Sequence, residues 1–196
     1  IGNALEVTGS IFVLQGQGSK DTRELVMLQG GQLLYLTGKA ATLEDGKRKI
    51  AQVLDNGRAL EIFVEMCVQQ GTSSSVAQKL ATNPQSVVPQ ASHRTQLTSS
   101  RSGYVESIDA MALAEVAREL GAGRFAMEDE IIHTVGFVLH SVKNATIAVG
   151  ETWMTVHHEE ALSSEHRAKL ANALRISSQR GASFSRLITT VDESKQ

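Results

Sequence analysis

The sequence is short of several residue types on which particular protein classes depend. Cys67 is the single cysteine among 196 residues, which excludes an intrachain disulfide framework. Aromatic residues make up only 4%, the net charge is −2, and the longest basic run is the triplet at 47–49. Neither a basic stripe that displaces counterions nor aromatic platforms for bases are present, which argues against nucleic-acid binding.

Long apolar runs and a secretory pattern are missing as well. No stretch approaches the roughly 20 apolar residues that span a bilayer, and the first residues lack the charged, apolar and small segments of a signal peptide. We therefore expect a soluble, cytoplasmic protein with neither membrane nor nucleic acid among its partners. The chain starts with Ile1 instead of Met, and we expect that residue 1 is not the natural start of the protein.

The residues that are present predict a layer of four helices in 1–71, from the spacing of the apolar positions. The second helix, 22–37, is apolar on almost all sides, which indicates burial, and Asp21 with Glu24 predicts a capping box at its start. In the fourth helix, apolar residues recur at i, i+3, i+4, i+7 and i+8. Cys67 lies on that stripe, where a cysteine usually fills the core and does not act as a nucleophile.

The composition changes at residues 72–102, which are rich in Ser, Thr and Gln and hold both prolines. We interpret this stretch as a linker or crossover with a short helix at Val76–Leu80. Residues 103–180 mix strand and helix patterns, and 181–196 form a tail. The predicted elements of 103–180 are strands at 103–109, 134–142 and 152–158, a helix capped by Asp109, and a helix at 164–174. The sequence thus predicts an α+β fold in which a helical layer precedes a small α+β unit.

The glycine-rich and acidic stretches have structural interpretations. Gly16-Gln-Gly18 before Ser19-Lys20 lacks the P-loop spacing and a preceding strand, which favours a turn between helices over a phosphate site. Gly121-Ala-Gly123-Arg124 is interpreted as a turn that caps a helix, with an anion contact of Arg124 as the alternative. Glu128-Asp129-Glu130 is typical of a solvated turn and not of paired catalytic carboxylates.

The histidines and serines do not form a catalytic pattern either. His157 and His158 are neighbours on a predicted strand and would point to opposite faces, while His133 and His140 lie seven residues apart without a metal-binding motif. Ser10 and the serines at 73–75 lack the context of a nucleophile elbow. We therefore predict no catalytic residues, no substrate-binding residues, no cofactor and no metal site in this chain.

Several short strings, taken together, resemble one family. They are GNALEV at Gly2–Val7, GQG followed by D and EL at 16–25, GYV followed by ID at 103–109, LGAGR at 120–124, D and I before VG at 129–136, and VGE before VH at 149–157. In this order and at about these spacings they resemble the carboxy-terminal half of the pyrimidine nucleoside phosphorylases, the family that includes thymidine phosphorylase. The resemblance covers residues 1–179.

This resemblance implies a pentosyltransferase of pyrimidine nucleoside salvage, in which phosphate attacks the sugar of thymidine or uridine to give the base and a pentose 1-phosphate. It implies a homodimer, and a cleft that closes between a helical domain and a large α/β domain. The family's phosphate-binding, base-binding and catalytic residues would all precede Ile1. We expect 1–71 to be the last helices of the α/β domain and 103–180 the small, hammerhead-like α+β domain, both serving as scaffold.

The chain departs from the family pattern at a few positions, which suggests a divergent member. Gly9 occupies the position where some members have a cation-binding Glu, and a glycine there offers no carboxylate and costs a helix about 1 kcal/mol. Ile132 replaces an Asp, Asn144-Ala145 replace a Gly-Asp turn, and Trp153 occupies a position that is commonly aliphatic.

Two other functions remain as alternatives. One is a non-catalytic truncated or divergent module that only binds a partner. The other is a swinging-arm carrier domain at 103–158, which is disfavoured because Lys143 lies between Val142 and Asn144 and not between the small or Met residues that a carrier lysine needs. Because the sheet beneath the helices would be mostly absent, we also expect the apolar residues from Leu25 to Leu36 to lie exposed and the isolated chain to self-associate, while 100–180 folds better.

Overall fold

Helices occupy the first half of the chain and two small sheets the second half in the computed structural model, which describes residues 1–182. The α-helices are α1 (Asn3–Leu14), α2 (Lys20–Leu36), α3 (Leu43–Asp55), α4 (Arg58–Gln69), α5 (Ser74–Thr82), α6 (Ala110–Glu119) and α7 (Ser164–Ala173), with a 3-10 turn at Pro84–Ser86. The strands are β1 (His93–Thr98), β2 (Gly103–Ile108), β3 (Gly136–Leu139), β4 (Thr146–Ile147), β5 (Thr152–His158) and β6 (Leu174–Ser177). The mixed α+β class is as predicted. The predicted tail lies outside the described residues except for 181 and 182.

The helical layer is held by a close crossing of α2 and α3. A Cβ atom at Gly31 of α2 would lie 2.7 Å from the Lys47 backbone nitrogen of α3, so only a glycine fits at this position. Gly31 is buried in this contact. The two helix backbones therefore touch without intervening side chains.

The opposite side of α2 is open, so the predicted burial of this helix is wrong within the described residues. Leu33 and Leu36 are 62% and 70% exposed, and Leu25, Val26 and Tyr35 are exposed as well. Met27, Leu28 and Leu34 are half-buried, and Gly31 is the only buried residue of α2. The separate expectation that Leu25 to Leu36 would lie exposed in this chain agrees with the structure.

Two of the predicted helix starts can be compared with the structure directly. The capping box of Asp21 and Glu24 is wrong, because α2 begins earlier, with Ser19 as its N-cap residue in an extended conformation, and Asp21 accepts from the Thr22 amide inside the first turn. The cap of α6 is confirmed: the Asp109 carboxylate accepts from the Met111 and Ala112 amides at 3.0 and 3.1 Å.

Every residue of α4 is half-buried or exposed, which corrects the interpretation of its apolar stripe. Cys67 is half-buried and does not lie in the core. α4 contacts α1, α3 and α5, and these neighbours cover its apolar side chains only in part.

Two three-stranded antiparallel sheets form the α+β unit. β5 lies between β1 and β3, and β2 lies between β4 and β6. The sheets and the helices α6 and α7 enclose a continuous core that includes Trp153, Phe137, Val105, Leu113 and Leu170. Almost all of the large, fully buried side chains belong to this unit, with Ile11 of α1 as an exception.

β1 lies inside the predicted linker at 72–102, and its strand was not predicted. It pairs with β5 from His93 opposite His158 to Thr98 opposite Thr152. Its sequence, HRTQLT, contains a single apolar residue and gives no apolar alternation. The short helix expected at 76–80 is present as α5.

Candidate functional site

The start of α1 is joined to the edge of a sheet by backbone hydrogen bonds. The Ile1 amino group donates to the Phe137 carbonyl at 3.2 Å, and the Phe137 amide donates to the Ile1 carbonyl at 2.7 Å. β3 is an edge strand of its sheet, so Ile1 occupies hydrogen-bonding groups that would otherwise face solvent. The helical layer and the α+β unit are thereby joined at this point.

Two glycines allow this close contact. A Cβ atom at Gly2 or at Gly136 would lie 2.8 Å from the Cα atom of the other glycine. Gly2 also has a φ angle of +118°, in the region that favours glycine. Any other residue at either position would push the two backbones apart.

The first turn of α1 takes its remaining partners from two loops of the α+β unit. The Asn3 Nδ2 donates to the Ala122 carbonyl at 3.1 Å, and the Ala4 amide donates to the His133 carbonyl at 3.1 Å. The Ala4 amide, which has no partner within the first turn of the helix, is therefore hydrogen-bonded by the α+β unit. We refer to residues 1–4, 121–124 and 133–137 together as the junction.

Two open clefts flank α1 beside the junction. One has a volume of about 640 Å³ and reaches His133, and the other has a volume of about 620 Å³ and reaches Gly9. Glu6 and Ser10 line both clefts. Their size suits a small molecule, but among the described residues no hydrogen bond joins Ser10 to a base, so the clefts do not contain an activated nucleophile.

A smaller cleft of about 290 Å³ lies where α6 meets the junction and contains Arg118 and Arg124. The Arg118 guanidinium lies 4.3 Å from the ring centroid of Phe125. The turn itself is the predicted helix cap, because the Gly121 amide donates to the Arg118 carbonyl at 3.0 Å and Gly121 has a φ angle of +99°. An anion contact of Arg124 stays an alternative.

The other stretches singled out in the sequence have structural roles. Residues 15–19 form the predicted turn between α1 and α2, and Lys20 is the first residue of α2. In the acidic stretch at 128–130, Asp129 accepts from the amides of Ala126 and Phe125, both at 2.9 Å, and these hydrogen bonds lower the pKa of its carboxyl. An Asp held ionised in this way stabilises a turn and is a poor general acid.

The histidines do not form a metal centre. Within residues 1–182, no group of three His, Cys, Asp or Glu side chains is arranged to hold a metal ion. His140 instead shares a hydrogen bond of 2.8 Å with the Thr155 hydroxyl, and His157 and His158 are 7% and 4% exposed. Burial, followed by the nearby charges of Arg94 and His158, lowers the pKa of His157.

One cluster was not found in the sequence. His93 and Arg94 of β1 lie directly opposite His158 and His157 of β5. The pairs His93-Arg94 and His157-His158 are visible as dipeptides, but they are brought together only by the strand that the apolar pattern does not reveal. Only a correct prediction of strand β1 would have indicated that these two dipeptides lie opposite each other.

Comparison with known proteins agrees with this arrangement of two joined parts. Residues 104–177 match the family model described as pyrimidine nucleoside phosphorylase C-terminal domain, and residues 5–60 match the glycosyl transferase family, a/b domain. The chain is 35% identical over 179 residues to a pyrimidine-nucleoside phosphorylase of Bacillus subtilis, which covers 91% of this chain and 40% of that protein. It is 36% identical over 182 residues to a thymidine phosphorylase of Rattus norvegicus, which covers 90% of this chain and 38% of that protein.

The chain is similar to the carboxy-terminal part of the pyrimidine nucleoside phosphorylases. It spans about 40% of the length of the Bacillus subtilis relative that it matches. Both family matches, at 5–60 and 104–177, contact the junction, and the strings GNALEV and LGAGR meet there through Asn3 and Ala122. Two of the strings that carried the resemblance in the sequence are therefore neighbours in the structure.

The positions that depart from the phosphorylase pattern fit their surroundings. Gly9 faces open space, since a Cβ atom built there meets nothing within 4 Å. Asn144 adopts a φ angle of +68°, which Asn tolerates better than most residues, and so takes over the turn expected of a glycine. Trp153 is buried in the core, and the Ile132 amide donates to the Gly121 carbonyl at 2.8 Å. The absence of a cation site at Gly9 stays a prediction.

Proposed function

We propose that this chain is the carboxy-terminal scaffold of a pyrimidine nucleoside phosphorylase. The reaction of the whole enzyme is the reversible conversion of thymidine and phosphate to thymine and 2-deoxyribose 1-phosphate. The observation that carries the proposal is the junction. There Ile1 and Ala4, which directly precede the segment similar to the a/b domain, are hydrogen-bonded to the segment similar to the C-terminal domain.

In this proposal the chain acts by positioning. Phosphorolysis requires phosphate and the sugar to meet in line and requires the developing charge to be stabilised, and both depend on preorganised groups. The junction would hold α1 rigidly against the small sheets, so that the large α/β domain, of which 1–71 would be the last helices, closes as one body. The groups that bind phosphate and base would be supplied by the remaining part of the enzyme.

The proposal also covers the setting of the whole enzyme. We propose a cytoplasmic homodimer that takes phosphate and a pyrimidine nucleoside as its small-molecule partners. Within residues 1–182, no helix is long and apolar enough to cross a membrane. Light scattering of a full-length protein and fractionation of its source cells would measure the mass and the location.

A graft tests the reaction. The matching 40% of the Bacillus subtilis protein is replaced by this chain, and release of thymine from thymidine is measured with and without phosphate. We expect phosphate-dependent turnover by the graft and none by the 196-residue chain alone. The unmodified Bacillus subtilis protein is the positive control.

Two outcomes would contradict the proposal. Turnover by the isolated chain would show that it carries a complete site and is not scaffold. A graft that folds, by circular dichroism and a sharp melting transition, but shows no turnover would favour the second candidate, a divergent module that only binds a partner. The exposed apolar side chains of α2 are the observation that supports this second candidate.

A further inference from the structure

The outer edge of β3 carries a short backbone pairing with the first residues of the chain. Ile1 and Phe137 exchange two hydrogen bonds, at 3.2 and 2.7 Å. Such a reciprocal pair is the pattern of antiparallel strands. The next pair of the same register is Gly2 beside Gly136, where a Cβ atom on either glycine would lie 2.8 Å from the Cα atom of the other. Two successive pairs therefore fix the direction in which the chain passes β3.

The register of the sheet shows which groups of β3 remain open. β3 pairs with β5 in an antiparallel register, and the His140 amide donates to the Trp153 carbonyl at 2.8 Å. Because backbone groups alternate between the two sides of a strand, those of Phe137 and Leu139 face the outer edge. Phe137 uses its two groups on Ile1. The amide and carbonyl of Leu139 have no hydrogen-bond partner within residues 1–182.

There is room for one more strand beside this edge. The open cleft of about 620 Å³ runs along Ile1, Phe137 and Leu139, and the turn before α2 forms its opposite wall. A neighbouring strand lies about 4.8 Å away in the direction of the hydrogen bonds. Leu139 is 42% exposed and Val142, which lines the same cleft, is 57% exposed. A strand in the cleft would therefore cover apolar side chains as well as pair with Leu139.

The shortness of the free edge favours one occupant, the peptide that is bonded to the Ile1 nitrogen. β3 has four residues, and with Phe137 engaged only Leu139 offers outward groups. A strand from a second copy would thus gain a single hydrogen-bonded pair. A peptide that precedes Ile1 would extend a pair that already exists, and it loses less conformational entropy because its end is already fixed.

We propose that the outer edge of β3 is the docking site for the segment that directly precedes Ile1 in the whole enzyme. This segment pairs as a fourth strand beside β3. The residue two positions before Ile1 lies opposite Leu139 and exchanges both hydrogen bonds with it, while the residue between turns its amide away from β3. The inference rests on the proposed function, in which the chain is the carboxy-terminal part of a longer enzyme.

Hydrogen exchange at the Leu139 amide tests the docking. It is measured in the 196-residue chain and in the graft, in which Bacillus subtilis residues precede Ile1. The Val138 amide is the reference, because it faces β5 and should be protected in both proteins. We expect the Leu139 amide to exchange at least on the order of tenfold more slowly in the graft.

Two proline variants of the graft distinguish pairing from simple covering. A proline two positions before Ile1 removes the amide that donates to the Leu139 carbonyl, and it should restore fast exchange at Leu139. A proline one position before Ile1 is the matched control. It replaces an amide that faces away from β3, where an edge strand accepts proline, and it should leave Leu139 protected.

The same variants are made in this chain extended by the few Bacillus subtilis residues that precede the matching part, so the docking is tested even if the graft does not fold. Fast exchange of Leu139 in both the graft and the extended chain would overturn the inference, and so would equal effects of the two prolines. Protection of Leu139 in the chain without any extension would also overturn it, because another part of the chain or a second copy would then occupy the edge.

Release of thymine is measured separately. A graft with a protected Leu139 amide but no turnover would contradict the proposed function and support the docking. An active graft in which Leu139 exchanges fast would contradict the docking and support the proposed function.

Discussion

At the scale of single residues, glycines decide whether the helical layer can join the α+β unit. Gly2 and Gly136 bring two backbones within the distance that a side chain would occupy. Gly9, a few residues further along the same helix, faces open space. A side chain is therefore excluded at Gly2 but would fit at Gly9.

This contrast leads to a matched pair of substitutions. Gly136→Ala should lower the free energy of unfolding by about 1–3 kcal/mol, because its methyl group would overlap the Gly2 backbone. Gly9→Ala should raise it by up to about 1 kcal/mol, because alanine favours a helix and the site has room. Urea unfolding followed by circular dichroism measures both, and a neutral Gly136→Ala would refute the tight contact.

Some of the residue roles could be predicted from the sequence, and the reason is local chemistry. The cap of Asp109 and the turn at Gly121 depend on neighbours only a few residues away, and both are confirmed. The contact of Gly2 with Gly136 joins residues far apart in the chain. The sequence strings that contain these two glycines could be recognised, but the sequence did not indicate that they lie next to each other.

At the scale of elements, a helix or strand could be predicted when its own apolar pattern matches the face that it buries. α6 has a capping Asp109 at its start, and its apolar residues Leu113, Val116 and Ala117 are buried. β1 is polar, and its place in the sheet is provided by β5. α2 is apolar on almost all sides, yet whether it is covered depends on what is packed against it and not on its own sequence.

The cap of α6 provides a test at this scale. Asp109→Ala removes the acceptor of two helix amides and should lower the free energy of unfolding by about 1 kcal/mol, and at most about 2 kcal/mol. Glu115→Ala, an exposed acid of the same helix, should change it by less than about 0.5 kcal/mol. Equal effects of the two substitutions in thermal or urea unfolding would contradict the capping role.

At the scale of the whole molecule, the buried core is unevenly distributed. The continuous core lies in the α+β unit, whereas the helical layer exposes Leu25, Leu33 and Leu36 on one helix. An apolar surface of this kind associates with other surfaces in water. The described residues therefore combine a well-packed half with a half that depends on further contacts.

We accordingly expect the isolated chain to self-associate at micromolar concentration. The double substitution Leu33→Gln and Leu36→Gln should reduce the mass measured by light scattering, since it removes the most exposed apolar side chains of α2. Val149→Gln changes an exposed residue of the α+β unit and should leave the mass unchanged. A monodisperse monomer of the unsubstituted chain would contradict this expectation.

The same uneven core bears on how the α+β unit could be isolated. A fragment that starts at residue 100, as the sequence suggests, would lose β1 and leave one edge of β5 unpaired. A fragment of residues 91–182 keeps that pairing, and we expect it to melt at a higher temperature than 100–182 by several degrees. Identical melting temperatures would mean that β1 adds no stability.

The pairing of β1 with β5 also determines when β1 can fold during synthesis on the ribosome. His93 meets His158, so at roughly 5–20 residues per second β1 waits several seconds for its partner to be made. An unpaired strand can form hydrogen bonds with other chains, and polar or charged side chains on the strand reduce this association. Because HRTQLT has a single apolar residue, its strand is hard to predict from the apolar pattern, and the same composition keeps the segment soluble until β5 has been synthesised.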